Sequence, residues 1–279
     1  DITSTMAKDP SLRKRLVVID IMIPTTVLFA MLGGWPFTIF VSAILGISAW
    51  EYWRIFHDNG YSPSLPILLV FTVAAVILRK FFDFEYTGIW LGVLVLVSMI
   101  WHTIAAQKGS SNAATGFALS ISGAVYLGWL GSYAISINSL PYSTYWLLTV
   151  FPIISLADTG GYLFGLWLGK HKMMPKVSPK KSWEGYIGGL IMGGLGGWGL
   201  AALWHIAVPG FLPVYGLILG IVLSLLVPFG DFGESMIKRQ FNLKDTSNIL
   251  PGHGGMMDRI DSSLWAAFIG YFIILVLIK

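Results

Sequence analysis

Residues 87–104 read TGIWLGVLVLVSMIWHTI, a stretch of eighteen residues without Asp, Glu, Lys or Arg. A helix needs about 20 predominantly apolar residues to cross the hydrocarbon core of a bilayer. A strand of a membrane barrel would alternate between apolar and polar residues, and this stretch does not. Because a helix satisfies its backbone hydrogen bonds within the segment, the stretch predicts a membrane-spanning helix.

Further apolar stretches lie on both sides of it and predict an all-α, polytopic integral membrane protein with about nine transmembrane helices. The stretches are Leu16–Leu32, Trp35–Ile55, Leu65–Leu78, Thr87–Ile104, Ala113–Ile137, Tyr145–Leu168, Gly185–Val208, Leu212–Lys238 and Leu264–Ile278. The third is short for a crossing. The eighth is too long for one, so we expect its last turns to project beyond the bilayer or to line a cavity.

The composition agrees with a chain that faces lipid. Of 279 residues, 55% are hydrophobic and 11% are charged, against about 25% charged residues in an average soluble domain. So few charges could not cover a water-facing surface. The absence of cysteine excludes disulfides, thiolate metal sites and cysteine nucleophiles.

The distribution of Lys and Arg predicts the orientation, because cytoplasmic segments of membrane proteins carry an excess of both. Four basic residues precede the first stretch: Lys8, Arg13, Lys14 and Arg15. With the N-terminus in the cytoplasm, fifteen of the eighteen Lys and Arg residues lie on the cytoplasmic side. The two most polar loops, after the sixth and eighth stretches, then lie on that side as well.

The seventh stretch carries a stripe of glycines at four-residue spacing: Gly185, Gly189, Gly193 and Gly197. Glycines on one helix face allow another helix to approach closely. Packing within the subunit is the favoured interpretation, and a homodimer interface is the alternative.

Two pairs of acidic residues flank the last polar loop. Asp231 and Glu234 end the eighth stretch, and Asp258 and Asp261 precede the ninth. Residues three apart share a helix face, so each pair presents two carboxylates together. Like charges this close are unfavourable unless a cation joins them, and oxygen ligands without cysteine indicate Mg²⁺.

Basic residues and glycines accompany these acids. The basic residues are Lys238, Arg239, Lys244, His253 and Arg259. Gly252, Gly254 and Gly255 precede the last helix, where backbone amides can turn toward an anion. For any single Lys or Arg, anchoring at the membrane interface is the simpler interpretation. The whole arrangement favours phosphoryl or nucleotidyl transfer.

A second polar loop reads Ser178-Pro-Lys-Lys-Ser-Trp-Glu-Gly185. Positive-inside topology explains the charge of Lys180 and Lys181, but not Ser182 and Glu184 beside them. Asp158 lies within the sixth stretch, and an acid inside a membrane helix indicates function. We expect a lysine of the adjacent loop to pair with it.

The run Ser235–Asp261 resembles the signature of the phosphatidate cytidylyltransferase family, the CDP-diacylglycerol synthases. That signature has the form S-x-apolar-K-R-x4-K-D-x-small-x2-apolar-P-x-H-G-G-apolar-x-D-R-apolar-D, and this chain fits each specified position. The segments Ser178–Gly185 and Asp158–Tyr162 are also similar to family segments. The resemblance covers about residues 150–265; the first half of the chain matches only as a set of hydrophobic spans.

The resemblance implies a nucleotidyltransferase that joins CTP to phosphatidic acid with Mg²⁺, giving CDP-diacylglycerol and pyrophosphate in phospholipid synthesis. It implies membrane lipid but no nucleic acid as a partner, and a bacterial inner membrane with the active site on the cytoplasmic side. Residues 1–140 would form N-terminal transmembrane helices, and residues 141–279 a transmembrane catalytic region.

The family match also distributes roles among the residues of this chain. Catalytic roles go to Asp158, Lys180, Lys181, Asp231 and Asp258. Metal binding goes to Asp231, Glu234, Asp258 and Asp261. Substrate binding goes to Ser178, Ser182, Glu184, Lys238, Arg239, Lys244, His253, Gly254, Gly255 and Arg259. Lys180 and Lys181 could bind either the lipid phosphate or the nucleotide.

Two other functions compete with this one. A CDP-alcohol phosphotransferase would carry D-G-x2-A-R followed by G-x3-D-x3-D, and no such acid spacing occurs. An ion-coupled transporter would use Asp20, Asp158 and Asp231 as a cation pathway and spread its acids through the bilayer, whereas most acids here cluster at one boundary. Metal-dependent release of pyrophosphate from CTP would distinguish an enzyme from a transporter.

Overall fold

A computed structural model describes the backbone of residues 10–279 and the side chains from Ile21 onward. Lys8 therefore lies outside the described residues, as do the side chains of Arg13, Lys14, Arg15 and Asp20. The helices are α1 (Pro10–Leu32), α2 (Gly34–Asp58), α3 (Leu65–Phe82), α4 (Thr87–Gln107), α5 (Ala113–Gly123), α6 (Leu130–Asn138), α7 (Ser143–Leu168), α8 (Trp183–Ala207), α9 (Pro213–Leu226), α10 (Pro228–Gln240) and α11 (Met257–Leu277). Strands β1 (Lys172–Met174) and β2 (Ser178–Ser182) form an antiparallel hairpin.

The prediction of an all-α, polytopic membrane protein is confirmed. In the part of the chain with described side chains, eight helical segments are long and apolar enough to cross a membrane. The short third stretch is among them, as Leu65–Phe82, and Ile21–Leu32 adds a shorter apolar segment. Exposed side chains such as Leu96 (65%) and Ile100 (61%) are ordinary on a surface that meets lipid.

Two of the predicted stretches are less regular than expected. Ala113–Ile137 contains a π-helical segment, Ala124–Trp129, between α5 and α6. The long stretch Leu212–Lys238 forms two helices, because Pro228 lacks the N–H that would continue α9 and instead starts α10. The break ends the apolar helix and begins a short polar one.

The chain forms two compact units. The first contains the described residues up to Ile135 together with Leu243–Ile260, and the second contains Ser136–Asn242 and Asp261–Lys279. In the first unit, α3 packs against α2 and α4, with Leu68 and Leu94 fully buried. In the second, α8 packs against both α7 and α9.

The glycine stripe of α8 makes these helix contacts in the second unit. A Cβ on Gly189 would lie 2.8 Å from the carbonyl oxygen of Ala157, and one on Gly185 would lie 2.6 Å from that of Gly161. A Cβ on Gly197 would collide with the carbonyl oxygen of Gly216 on α9. The stripe is therefore used for packing within the chain and gives no support to a homodimer.

This packing predicts opposite outcomes for two glycines of α8. Gly197→Ala should lower the melting temperature in detergent by several degrees, because the methyl group meets backbone that cannot move aside; overpacking costs about 1–3 kcal/mol. Gly199→Ala is the matched control, since nothing lies within 4 Å of its Cβ position and alanine favours helix. Equal melting temperatures for the two variants would contradict the close packing of α8 on α9.

Candidate active site

The hairpin formed by β1 and β2 gives different surroundings to two lysines that the sequence leaves equivalent. Lys180 and Lys181 are neighbours on β2, in the part where its pairing with β1 is irregular. Lys180 is exposed, whereas the Lys181 ammonium forms an ion pair with Asp231 and lies 4.7 Å from the centre of the Phe232 ring. Lys181 is thus the lysine of β2 that meets an acid of α10.

Ser182 and Glu184 shape the end of this hairpin. The Ser182 hydroxyl accepts a hydrogen bond from the Gly185 amide, 3.2 Å away, and caps the N-terminus of α8. The Glu184 carboxylate accepts from the backbone amides of Lys170 and His171 and forms a 2.6 Å hydrogen bond with His171 Nδ1. Both side chains therefore stabilise the hairpin and the residues next to it, from Lys170 to Gly185.

Asp231, Glu234 and Asp261 form an acidic cluster in the second unit. Among the described residues they are the carboxylates placed to share an ion, with one oxygen from each lying within 4.8 Å of the others. Asp231 and Glu234 lie one turn apart on α10, and Asp261 comes from α11. Glu234 and Asp261 are buried, with 1% and 7% of their surface exposed. Both expected acidic pairs thus contribute to this cluster, the second pair through Asp261.

Cations and a hydroxyl hold this acidic cluster. Lys238 Nζ donates to Glu234 Oε2 at 3.1 Å, one turn along α10, and Lys181 pairs with Asp231. The Ser235 hydroxyl donates to Asp231 Oδ1 at 3.2 Å. With the carboxylates ionised, the two lysines offset two of three negative charges, and a bound cation would neutralise the remainder.

The donor set of the acidic cluster fits Mg²⁺. All three ligands are hard carboxylate oxygens, and Mg²⁺ is normally held by one or two carboxylates together with water and substrate phosphates. Carboxylates grouped with lysines can hold both a metal and the phosphates attached to it. The cluster can therefore support transfer of a phosphoryl or nucleotidyl group.

Other predicted site residues of the second unit have more open surroundings. Arg239 is exposed and its Nε reaches the Val177 carbonyl oxygen at 3.5 Å. Asp158 is exposed on α7, one turn after Ser155. Its expected pairing with a lysine of the basic loop stays a prediction.

The loop before α11, in the first unit, contains a tight turn. The His253 amide donates to the Leu250 carbonyl at 2.9 Å, with Pro251 and Gly252 between them. A type II turn favours proline at its second position and requires a positive φ, usually of glycine, at its third. Pro251 and Gly252, which has a φ of 80°, meet both conditions. The Leu250 amide then donates to the Gly254 carbonyl at 2.9 Å. Pro251 and Gly252 form the exposed tip of the turn and half-buried His253 ends it, while Lys244 and Arg259 are exposed on either side of the loop.

Two carboxylates occupy the backbone amides that follow this turn. Asp258 Oδ2 accepts from the Gly255 amide at 2.7 Å and from the Thr246 amide at 2.9 Å. Glu51 of α2 accepts from the amides of Met256 and Met257 at 2.9 and 2.7 Å. The amides of Gly255, Met256 and Met257 at this helix N-terminus therefore face carboxylates that the protein supplies itself, and the substrate-binding role of Gly254 and Gly255 stays a prediction.

Comparison with known proteins agrees with a site for nucleotidyl transfer. The model of the cytidylyltransferase family matches residues 13–277, nearly the whole chain. The chain belongs to the cytidylyltransferase family. As a cytidylyltransferase it is an enzyme, a nucleotidyltransferase, and the family resemblance carried by Ser235–Asp261 is confirmed.

Curated relatives of this cytidylyltransferase come from several bacteria. It is 32% identical over 244 residues to a phosphatidate cytidylyltransferase of Mycobacterium bovis, covering 83% of this chain and 78% of the relative. It is 31% identical over 267 residues to the Pseudomonas aeruginosa protein of that name, covering 90% and 92%. With the Bacillus subtilis protein of that name the identity is 29% over 269 residues, covering 94% and 97%.

Sequence reasoning about this cytidylyltransferase missed Glu51. The signal was present, since Glu51 is an acid inside the apolar stretch Trp35–Ile55, and the rule that singles out Asp158 applies equally to it. Its partners could not be read from the sequence, because they lie about two hundred residues away. Asp258 lies in the same unit as Glu51, and its predicted metal role stays a prediction.

Proposed function

We propose that the chain catalyses Mg²⁺-dependent transfer of CMP from CTP to phosphatidic acid, forming CDP-diacylglycerol and pyrophosphate. The acidic cluster is the observation that carries this proposal, because it joins three oxygen ligands on helices of a membrane protein to two lysines. The names of the bacterial relatives support the choice of CTP and phosphatidic acid.

The proposed reaction is a displacement at the α-phosphorus of CTP. A phosphate oxygen of phosphatidic acid forms the new P–O bond, the bond from the α-phosphorus to the bridging oxygen breaks, and pyrophosphate leaves with that electron pair. The lipid phosphate is already a nucleophile at neutral pH, so no covalent enzyme intermediate is needed. The protein's task is alignment and charge neutralisation.

The residues of the chain divide this task. Asp231, Glu234 and Asp261 would hold Mg²⁺, which supplies neutralisation of the phosphate charge when bound. Lys181 and Lys238 keep the Asp231 and Glu234 carboxylates oriented. The remaining predicted residues keep their proposed roles: Asp258 toward metal, Asp158 in catalysis, and Ser178, Lys180, Arg239, Lys244, His253, Gly254, Gly255 and Arg259 toward the substrates.

The proposal includes a location. The relatives are bacterial, and Lys and Arg concentrate in the loops that carry the site residues. We therefore propose the bacterial cytoplasmic membrane, with the N-terminus and active site on the cytoplasmic side. Basic groups there would also attract the anionic head group of phosphatidic acid.

One assay tests the proposed reaction. The purified chain in mixed micelles is given phosphatidic acid and CTP labelled on its α-phosphate. We expect label in the lipid phase together with an equal amount of pyrophosphate, loss of both with EDTA, and recovery with excess Mg²⁺. Label that remains in the aqueous phase under all conditions would overturn the proposal and favour the transporter alternative.

The two lysines of β2 should respond differently to replacement by arginine. Lys181→Arg keeps the charge but cannot fit the same compact contact with Asp231, so we expect turnover to fall about tenfold, roughly 1.4 kcal/mol. Lys180→Arg should lose less, since Lys180 is exposed. The exposed Lys176→Arg in the hairpin turn serves as control. Equal losses at positions 180 and 181 would contradict a special role for the ion pair.

A further inference from the structure

Glu51 holds the loop before α11 from inside the first unit. Its side chain has no exposed surface. Oε1 accepts from the Ser247 hydroxyl at 2.5 Å and the Met256 amide at 2.9 Å. Oε2 accepts from the Met257 amide at 2.7 Å, and the Thr246 hydroxyl lies 3.3 Å from it and 3.0 Å from Asp258 Oδ2, so that these two oxygens compete for one proton. A single buried carboxylate therefore joins both ends of this loop.

The two backbone contacts of Glu51 are of a special kind. Met257 is the first residue of α11, where amides have no partner within the helix. A negative charge at that position is favourable, because it lies at the positive end of the helix dipole. Each oxygen of the Glu51 carboxylate accepts from one of two successive amides. The two hydrogen bonds therefore fix both the position and the direction of the start of α11.

The loop that Glu51 holds carries residues assigned to substrate. Between Thr246 and Met257 lie His253, Gly254 and Gly255, and the turn that presents His253 is closed by short hydrogen bonds. Gly255 fits only because it has no side chain: a Cβ there would lie 2.6 Å from Glu51 Oε1. Glu51 therefore holds both ends of the segment that carries His253.

Resting on the proposed function, we propose that Glu51 is a positioning residue for CTP. It does not touch substrate, since its oxygens are buried and occupied by donors of the loop, namely the Ser247 hydroxyl and the Met256 and Met257 amides. It acts through His253 and its neighbours, which it keeps in the conformation that receives the nucleotide. A buried carboxylate that served only to stabilise the fold would leave the affinity of folded enzyme for CTP unchanged.

Glu51→Gln is the decisive variant. Glutamine has nearly the same shape but one acceptor oxygen, so one of the two amides, at Met256 or Met257, must lose its partner. We expect KM for CTP to rise about thirtyfold, while KM for phosphatidic acid and kcat change less than about threefold. Glu51→Asp should restore part of the affinity, since it keeps two oxygens and the charge. Unchanged KM for CTP in Glu51→Gln would overturn the proposal.

Ser247→Ala gives a second variant in case Glu51→Gln does not fold. It removes one hydroxyl donor and leaves both backbone contacts, so we expect a rise of KM for CTP in the same direction but smaller, about threefold. A fall in kcat alone, with KM for CTP unchanged, would show a loss of folded enzyme and overturn the positioning role.

Hydrogen exchange separates this inference from the proposed function. In full-length protein, amides in a peptide spanning residues 246–257 should exchange at least about tenfold faster in Glu51→Gln than in the parent, with other helices unchanged. Unchanged exchange overturns the role of Glu51 even if the parent makes CDP-diacylglycerol. If the parent makes no CDP-diacylglycerol but Glu51→Gln still exchanges faster than the parent, the proposed reaction is removed and the anchoring of the loop by Glu51 remains.

Discussion

Asp261→Asn should abolish nearly all turnover while leaving the protein folded. Asp261 is buried in the acidic cluster, and its Oδ1 accepts from the Ser262 amide at 2.6 Å, a bond that an asparagine oxygen can keep. The variant therefore loses one negative charge with little change of shape. Because a metal provides several kcal/mol of charge stabilisation, we expect kcat to fall about a thousandfold.

The response to Mg²⁺ identifies the cause of this loss. In the parent, Mg²⁺ should raise the melting temperature, because it binds the folded state, and in Asp261→Asn that rise should disappear. Without Mg²⁺ the variant should melt no lower than the parent, since one of three mutually repelling carboxylates is neutral. The exposed Glu85→Gln controls for loss of a charge elsewhere. A variant with near-normal turnover and an intact Mg²⁺ response would remove Asp261 from the metal site.

Gly255→Ala should be the second most damaging change. Its methyl group would lie 2.6 and 2.7 Å from the two oxygens of Glu51 and collide with the Thr246 hydroxyl. The carboxylate cannot swing aside, because hydrogen bonds from Ser247, Met256 and Met257 hold it. The loop must move instead, and we expect kcat/KM for CTP to fall about a hundredfold, together with a loss of stability of about 1–3 kcal/mol.

Gly46→Ala is the matched control on α2, where nothing lies within 4 Å of the Cβ position. It should keep full activity and melt at the same temperature or slightly higher, because alanine favours helix. Kinetics and melting curves of both variants, measured on the same preparations, decide the matter. Normal kinetics in Gly255→Ala would mean that the loop tolerates displacement and that its position does not govern CTP binding.

The fold was accessible from the sequence because lipid imposes a single requirement on every span. Runs such as Thr87–Ile104 cannot satisfy their backbone except as helices, so their class follows from composition. Interruptions inside a run were not accessible. The π-helical segment Ala124–Trp129 depends on packing. The break at Pro228 was not predicted, although a proline inside an apolar run indicates an interruption of the helix.

The candidate site was accessible where spacing on one helix decides it. Asp231 and Glu234 lie three residues apart, and the structure brings Asp261 to them. Spacing could not show that Asp258 accepts from the loop amides, nor that Lys181 and not Lys180 meets Asp231, because those contacts depend on tertiary structure. Glu51 is the extreme case, since all its partners come from the other end of the chain.

That separation has a consequence for how the protein is made. Glu51 and Thr246 are 195 residues apart, so roughly ten to forty seconds of synthesis separate them at about 5–20 residues per second. Meanwhile the carboxylate sits in α2, the least apolar of the eight spanning segments, with none of its donors yet translated. An acid in a membrane helix costs on the order of 3 kcal/mol on insertion scales. The nascent chain therefore carries this energetic cost until residues 246–257 have been synthesised and their donors can reach Glu51.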